Sequence, residues 1–246
     1  MMARIFITGS ADGLGQLTAK SLIEQGHKVV LHARNEKRSA DALKHNPTAE
    51  AVLTGDLSNI DETIKLAQQV NRLGSFDAVI HNAGVYSTPA KEIASVNVLA
   101  PYILTCLIQK PKRFIYLSSG MHLQGHSKLD NKGDSIYRIN YSDSKLFVVM
   151  LCIATARIWK DVYANAVDPG WVPTKMGGRG APDSLEKGYE TQAWLAVSND
   201  ENAKQSGRYF FHQKEKPFNP EAADISKQQK LLHICEELTG VHFPNV

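Results

Sequence analysis

The chain is poor in the features that mark several large protein classes. It has only three cysteines in 246 residues, Cys106, Cys152 and Cys235, far apart and without a C-x-x-C pair. A disulfide framework is therefore excluded, and buried free thiols in a reducing compartment are expected. Neither sign of charge dominates, with 28 Lys and Arg against 25 Asp and Glu. That balance leaves no electrostatic footprint for nucleic acid or for an anionic membrane surface. Long hydrophobic runs are missing too. The longest, 146–154, falls far short of the roughly 20 residues a bilayer needs. No signal-peptide core precedes the first patterned segment. A cytoplasmic protein without a membrane span, nucleic-acid partner or metal is expected. Repeats and low-complexity tracts are absent as well. What is there is ordinary for a soluble domain: 43% apolar and 22% charged residues, enough for a sizeable core without staples.

The most informative segment opens the chain: Ile5-Phe6-Ile7-Thr8-Gly9-Ser10-Ala11-Asp12-Gly13-Leu14-Gly15. Its apolar start reads as a buried parallel strand. The pattern over 17–25 reads as an amphipathic helix stopped by Gly26. Strand, glycine turn and helix together make a cradle for a pyrophosphate. Glycine lets backbone approach the phosphates, and the helix N-terminus offers free N–H groups.

Strand-like and helix-like runs then alternate to the end. Strands are expected over 28–33, 50–53, 76–80, 113–117, 162–167 and 208–211. Helices are expected from a cap at Ser58 to 71, over 93–109 with Pro101 as a kink or true start, and over 141–159. Two more are expected over 184–197 and 224–238, the last stopped by Gly240. The 141–159 helix is apolar on several sides, so it is buried or used in assembly. Alternation predicts an α/β fold: a doubly wound, mostly parallel, Rossmann-like sheet with helices on both faces, in one domain over 1–246. Two long loops, 120–140 and 171–183, follow the C-terminal ends of strands. Ligands bind at such ends in open α/β sheets, so both are expected to be substrate loops.

Several residues in this frame carry chemistry. Arg34 and Asn35 follow the second strand, where a dinucleotide presents its adenosine ribose. An acidic residue there suits a free 2′-hydroxyl, whereas an arginine fork suits a 2′-phosphate. NADP(H) is therefore favoured, with NAD(H) still open and the negative charge of Asp12 as a counter-argument. Asp56, before Leu57, either accepts from the adenine amino group or begins a turn. Asn82, Ala83 and Gly84 either lie against the cofactor or tie strand ends together. Tyr141 and Lys145, four apart, share one helix face. An ammonium group beside a phenol lowers its pKa and suits it to proton transfer at a carbonyl or alcohol. Ser118 and Ser119 end the fifth strand in the same region, to bind a substrate oxygen or to cap the strand.

These motifs occur in one order: Thr8-Gly9-x-x-x-Gly13-x-Gly15, Asn82-Ala83-Gly84, Asn97, Ser119, Tyr141-x-x-x-Lys145 and Asp168-Pro169-Gly170. In that order the chain resembles the short-chain dehydrogenases/reductases of the single-domain kind, nearly end to end. The resemblance implies that Tyr141 is the proton donor or acceptor. Lys145 would lower its pKa and bind the nicotinamide ribose, Ser119 would orient the substrate oxygen, and Asn97 would hold a relay water. Thr174 would bind the nicotinamide carboxamide. The implied cofactor set also takes in Ser10, Asp12, Leu14, Leu57, Pro169, Gly170 and Val172.

Departures from the family pattern are also visible. His81 stands where a second asparagine is frequent. The segment 97–119 is short, which trims a helix that often builds subunit interfaces and leaves homodimer or homotetramer open. The segment 119–141 is long, and it and the C-terminal region look like the retinol dehydrogenase-like and carbonyl reductase-like branches. An NADP(H)-dependent oxidoreductase acting on a small-molecule carbonyl or alcohol is expected. A non-catalytic nucleotide sensor is the alternative, opposed by the intact Ser119, Tyr141 and Lys145 set. A sugar-nucleotide epimerase needs a longer chain. Met121, His122, Tyr137, Trp171 and Met176 either line an amphipathic pocket beside Tyr141 or pack the loops.

Overall fold

The computed structural model describes residues 2–130 and 133–244. Its frame is one eight-stranded sheet in the order β3-β2-β1-β4-β5-β6-β7-β8. The strands are β1 (Arg4–Ile7), β2 (Lys28–Ala33), β3 (Ala51–Thr54), β4 (Ala78–His81), β5 (Arg113–Leu117), β6 (Tyr163–Asp168), β7 (Arg208–Phe211) and β8 (Lys214–Glu215). All pairings are parallel except β7 with β8. The order reverses between β1 and β4, so a crevice opens at their C-terminal ends.

Ile5, Phe6 and Ile7 are all fully buried because helices cover both faces of the sheet. On one face α1 (Gly13–Glu24), α2 (Glu36–His45) and α7 (Leu185–Val197) pack over Ile5, Ile7, Leu31, Ile80 and Ile115. On the other, α3 (Ile60–Arg72), α6 (Tyr141–Ile158) and α8 (Ile225–Thr239) pack over Phe6, Val30, Val79, Phe114 and Tyr116. The apolar surround of α6 is used within the chain: the 220–223 turn and α8 lie against it.

Three local departures have physical causes. First, α2 was not foreseen because its sequence has no apolar stripe, and Ala42 is its only buried residue. Second, the expected 93–109 helix is broken in register. It runs as α4 (Ala90–Ala94), a π turn over Ser95–Leu99, and α5 (Ala100–Leu107) with Pro101 in its first turn. Pro101 has no N–H to donate to the Asn97 carbonyl, as an α-helix requires. The ladder loosens there, and the Ala100 N–H reaches back to Ser95. Third, 120–140 is not a free loop. It forms 3-10 turns over Gly120–Gln124 and Gly133–Arg138 and buries Leu129, Ile136 and Ile139.

α1 also begins earlier than the pattern suggested, at Gly13, with Asp12 as its cap. All three cysteines are buried and free. Among the described residues no helix is long and apolar enough to cross a membrane, and no side-chain cluster is placed to hold a metal.

Candidate active site

The glycine turn is fixed by contacts that leave no room for side chains. Gly9 has φ +63°, and a Cβ there would stand 2.9 Å from the Ala83 Cα. A Cβ on Gly15 would stand 2.5 Å from the Gly9 carbonyl oxygen and closer still to Asn82 Nδ2. Asn82 donates from Nδ2 to the carbonyls of Thr8 (3.0 Å) and Gly9 (3.1 Å). Thr8 Oγ1 accepts from the Ala83 N–H at 3.1 Å. Asn82 thus ties the end of β4 to the turn.

His32, which the sequence analysis passed over, does the same from β2. Its Nδ1 accepts from the Gly9 N–H at 2.9 Å, and its Nε2 donates to the Gly55 carbonyl at 2.9 Å. Burial pushes its pKa down to about 4, so the ring is neutral and this tautomer is fixed. A histidine amid the apolar run Val29–Ala33 was the available signal.

A cleft of about 430 Å³ runs from this turn to Tyr141. Gly9, Asp12, Gly13 and Leu14 form its floor; Arg34, Asp56 and Leu57 line one end. Asn82, Ala83, Gly84, Pro169 and Thr174 line the middle. Arg34 makes no ion pair among the described residues, whereas Arg38 pairs with Asp12 (2.8 Å) and Asp41 (3.3 Å). Lys175, from the loop after β6, also pairs with Asp12. Asp56 begins a turn as well as lining the cleft, accepting from the Ser58 N–H at 2.9 Å.

Five expected cofactor residues support the cleft rather than line it. Ser10 is buried and accepts from the His32 N–H at 2.8 Å. Asn35 caps α2 by accepting from the Arg38 N–H at 3.1 Å. Gly15 packs α1 against the sheet, Gly170 (φ +80°) turns the chain beside Asp183, and buried Val172 packs where Gly188 leaves space.

The expected catalytic residues come together at the far end. Tyr141 opens α6, held by a capping box between Asn140 and Asp143. Its phenol lies within hydrogen-bonding reach of the Ser119 side chain. Ser118, by contrast, is buried and donates to the Lys145 carbonyl at 2.9 Å. Lys145 Nζ lies 5.4 Å from the Tyr141 ring centre and donates to the Leu117 carbonyl at 2.9 Å. Asn97 Oδ1 accepts from the Val85 N–H at 2.8 Å, while Nδ2 donates to the Val85 carbonyl (2.9 Å) and Ser144 Oγ (3.0 Å).

The electrostatics differ from the sequence expectation. Burial pushes the Tyr141 phenol up to about 12, with the Ser119 hydrogen bond opposing and the charge of Asp168 adding to the rise. Burial pushes Lys145 down to about 8. The ammonium faces a carbonyl rather than the phenolic oxygen, so it does not offset desolvation at Tyr141.

Tyr86 joins the site without a signal in the sequence. Tyr86 stands edge-on to Tyr141 with ring centres 4.8 Å apart and is 44% exposed. Trp171 is 60% exposed, with Nε1 donating to the Gly177 carbonyl at 2.8 Å, and Met176 lines the cleft. His122 belongs to the packing instead: it is fully buried, 4.4 Å from the Tyr209 ring, and Nδ1 donates to the Ser119 carbonyl at 2.7 Å. Tyr137 is half-buried beneath Lys91.

Comparison with known proteins gives a consistent picture. The sequence model of a family described as short chain dehydrogenase matches residues 3–184. The chain is 46% identical to the uncharacterized oxidoreductase AN7799 of Emericella nidulans, over 99% of each. It is 41% identical to the short-chain dehydrogenase chry4 of Gibberella zeae, over 99% of this chain and 100% of that one. Its fold is similar to an uncharacterized protein from Mycobacterium Paratuberculosis, with a TM-score of 0.82 at 22% identity, covering 98% of this chain and 95% of the other.

Proposed function

The chain belongs to the short-chain dehydrogenase family, and on that premise we propose that it moves a hydride between NADP(H) and a small-molecule carbonyl or alcohol, with Tyr141 as acid and base. The observation that carries this reading is the meeting of Ser119 and Tyr141 at one end of a cleft whose other end is a glycine turn. The residues fit a dinucleotide: Gly9 and Gly13 hold positive φ, and Gly13 and Leu14 line the cleft where α1 begins. Arg34, with no carboxylate partner, is the group that selects the 2′-phosphate of NADP(H) over NAD(H). Bound there, the nicotinamide supplies or accepts the hydride.

The remaining work falls to side chains. Ser119 holds the carbonyl oxygen against the phenol. A Tyr141 with its pKa near 12 is protonated at neutral pH, the state that donates a proton during reduction. Lys145 carries its charge below about pH 8 and sits between Tyr141 and Gly84. Asn97 has its side-chain amide engaged, so a relay water would bind its main-chain carbonyl, the one Pro101 leaves without an α-helical donor. The three buried thiols fit a reducing, cytoplasmic setting. A homodimer or homotetramer would use a surface other than the covered face of α6.

Replacing Tyr141 with Phe tests the assignment. Turnover of NADPH with a panel of aldehydes and ketones should fall at least about a hundredfold, the scale of positioned proton transfer, with NADPH affinity retained. Full activity in that variant overturns the reading. NADPH binding without turnover of any carbonyl by the unaltered protein would favour the nucleotide sensor.

A further inference from the structure

Asp168 is a carboxylate near this chemistry that no step above uses. It ends β6 and faces the α6 side of the sheet, as does Tyr209 on β7. Its Oδ1 accepts from the Gly170 N–H at 2.9 Å, which fixes the carboxylate. Oδ2 points past Gly120, where a Cβ would stand 3.1 Å away. The Tyr209 hydroxyl is the one side-chain hydroxyl within hydrogen-bonding reach of this carboxylate among the described residues, and no cation pairs with it. Its charge is felt by Tyr141, Lys145, His122 and Tyr209.

A second observation marks the same place. The Tyr209 hydroxyl is buried, with the residue 3% exposed, and makes no well-aligned hydrogen bond. It lies beside the Asp168 carboxylate. A carboxylate has more acceptor capacity than the Gly170 N–H and one phenol fill, so the pair leaves room for a further donor.

A lone carboxylate is a poor neighbour for this reaction. Reduction builds negative charge on the substrate oxygen at Ser119 and Tyr141, and a like charge nearby raises that barrier. A proton donor on the substrate removes the conflict. We propose that Asp168 is a specificity-determining residue whose carboxylate accepts a hydrogen bond from an ammonium, N–H or O–H group on the carbon next to the substrate carbonyl. The inference rests on the proposed function, since it needs the carbonyl placed at Tyr141. The substrate class is thus an α-amino, α-amido or α-hydroxy carbonyl compound. Tyr86 supplies an apolar wall for the rest of it.

The test compares three probes of similar shape with NADPH at pH 7: 2-amino-1-phenylethanone, 2-hydroxy-1-phenylethanone and propiophenone, which replaces the donor with methyl. The protein should prefer the amino ketone, the hydroxy ketone or both over propiophenone by about tenfold or more in kcat/KM, the scale of a hydrogen bond to a charged group. In Asp168→Asn, which keeps the Oδ1 bond to Gly170, that preference should collapse and propiophenone turnover should rise. A merely structural role would lower all three alike. The matching alcohols, titrated with NADP⁺ present, give the same ranking as dissociation constants without relying on turnover. Equal treatment of the probes in turnover and binding, or a preference that survives Asp168→Asn, overturns the inference. Failure of the Tyr141 assignment shows separately, as activity retained in Tyr141→Phe.

Discussion

The two ends of the cleft are built from different materials. The glycine-turn end is held by neutral, buried hydrogen bonds: His32 to Gly9 and Gly55, Asn82 to Thr8 and Gly9, and Thr8 to Ala83. The 171–183 loop, which leads away from the far end and is tied back to Asp12 of the turn, is held by contacts that water reaches. Lys175 reaches Asp12 with 80% of its side chain exposed, and the Trp171 N–H donates to Asp183 at 2.6 Å. Buried neutral bonds ignore salt, and of these only the two made by His32 fail in acid, whereas exposed ion pairs are weak and screened. A rigid grip on an invariant ligand and a looser wall around a variable one follow from that choice.

The contrast can be broken most severely at Gly15. Gly15→Ala should lower stability by roughly 3 kcal/mol, the upper range for overpacking, because the methyl meets Asn82 and the Gly9 carbonyl, neither free to move. NADPH affinity should fall with it; thermal unfolding and fluorescence titration read both. A variant as stable as the parent would show the turn to be soft.

His32 gives a comparable effect that depends on pH. Its pKa is about 4 in the fold and about 6.5 when unfolded. The unfolded chain therefore binds the proton first as pH falls, and stability is lost from about pH 6.5 down to 4. The loss is on the order of 3 kcal/mol. Denaturant titrations of the parent and His32→Gln between pH 7 and 4 should show a flatter dependence in the variant. Parallel curves would mean that other groups, such as buried His81, govern acid sensitivity.

The smallest effect lies at the far end. Lys175→Ala should change stability by about 1 kcal/mol or less, as for exposed pairs. KM for carbonyl substrates should rise a few-fold at low salt, and the difference should vanish in high salt. A large loss of stability instead would place this loop with the rigid half.

Legibility in the sequence follows the range of the interactions. The glycine turn and the Tyr141 and Lys145 pair were readable because each depends on local backbone geometry or helical spacing. Cofactor residues that only brace the cleft, such as Ser10 and Asn35, were not separable from those that line it, since both obey the same spacing. His32 acts on partners more than twenty residues away in sequence, so only its place in an apolar run marks it. The β7–β8 turn was invisible because His212 and Gln213 hold positive φ without glycine or asparagine. In 120–140 the apolar residues Leu129, Ile136 and Ile139 are too sparse to show a period. They are buried by the rest of the fold.

The π turn at Ser95–Leu99 makes residue count part of this site. One residue more than an α-helix needs is held there, and each helical residue turns the chain by about 100°. Deleting any one residue between Ser95 and Leu99 would let the ladder close regularly. It would also swing Asn97 or the face of α5 away from its partners. No substitution could undo that, because the arrangement is encoded in length. Chains aligned to this one should be compared first for gaps here, and only then for identity at Asn97.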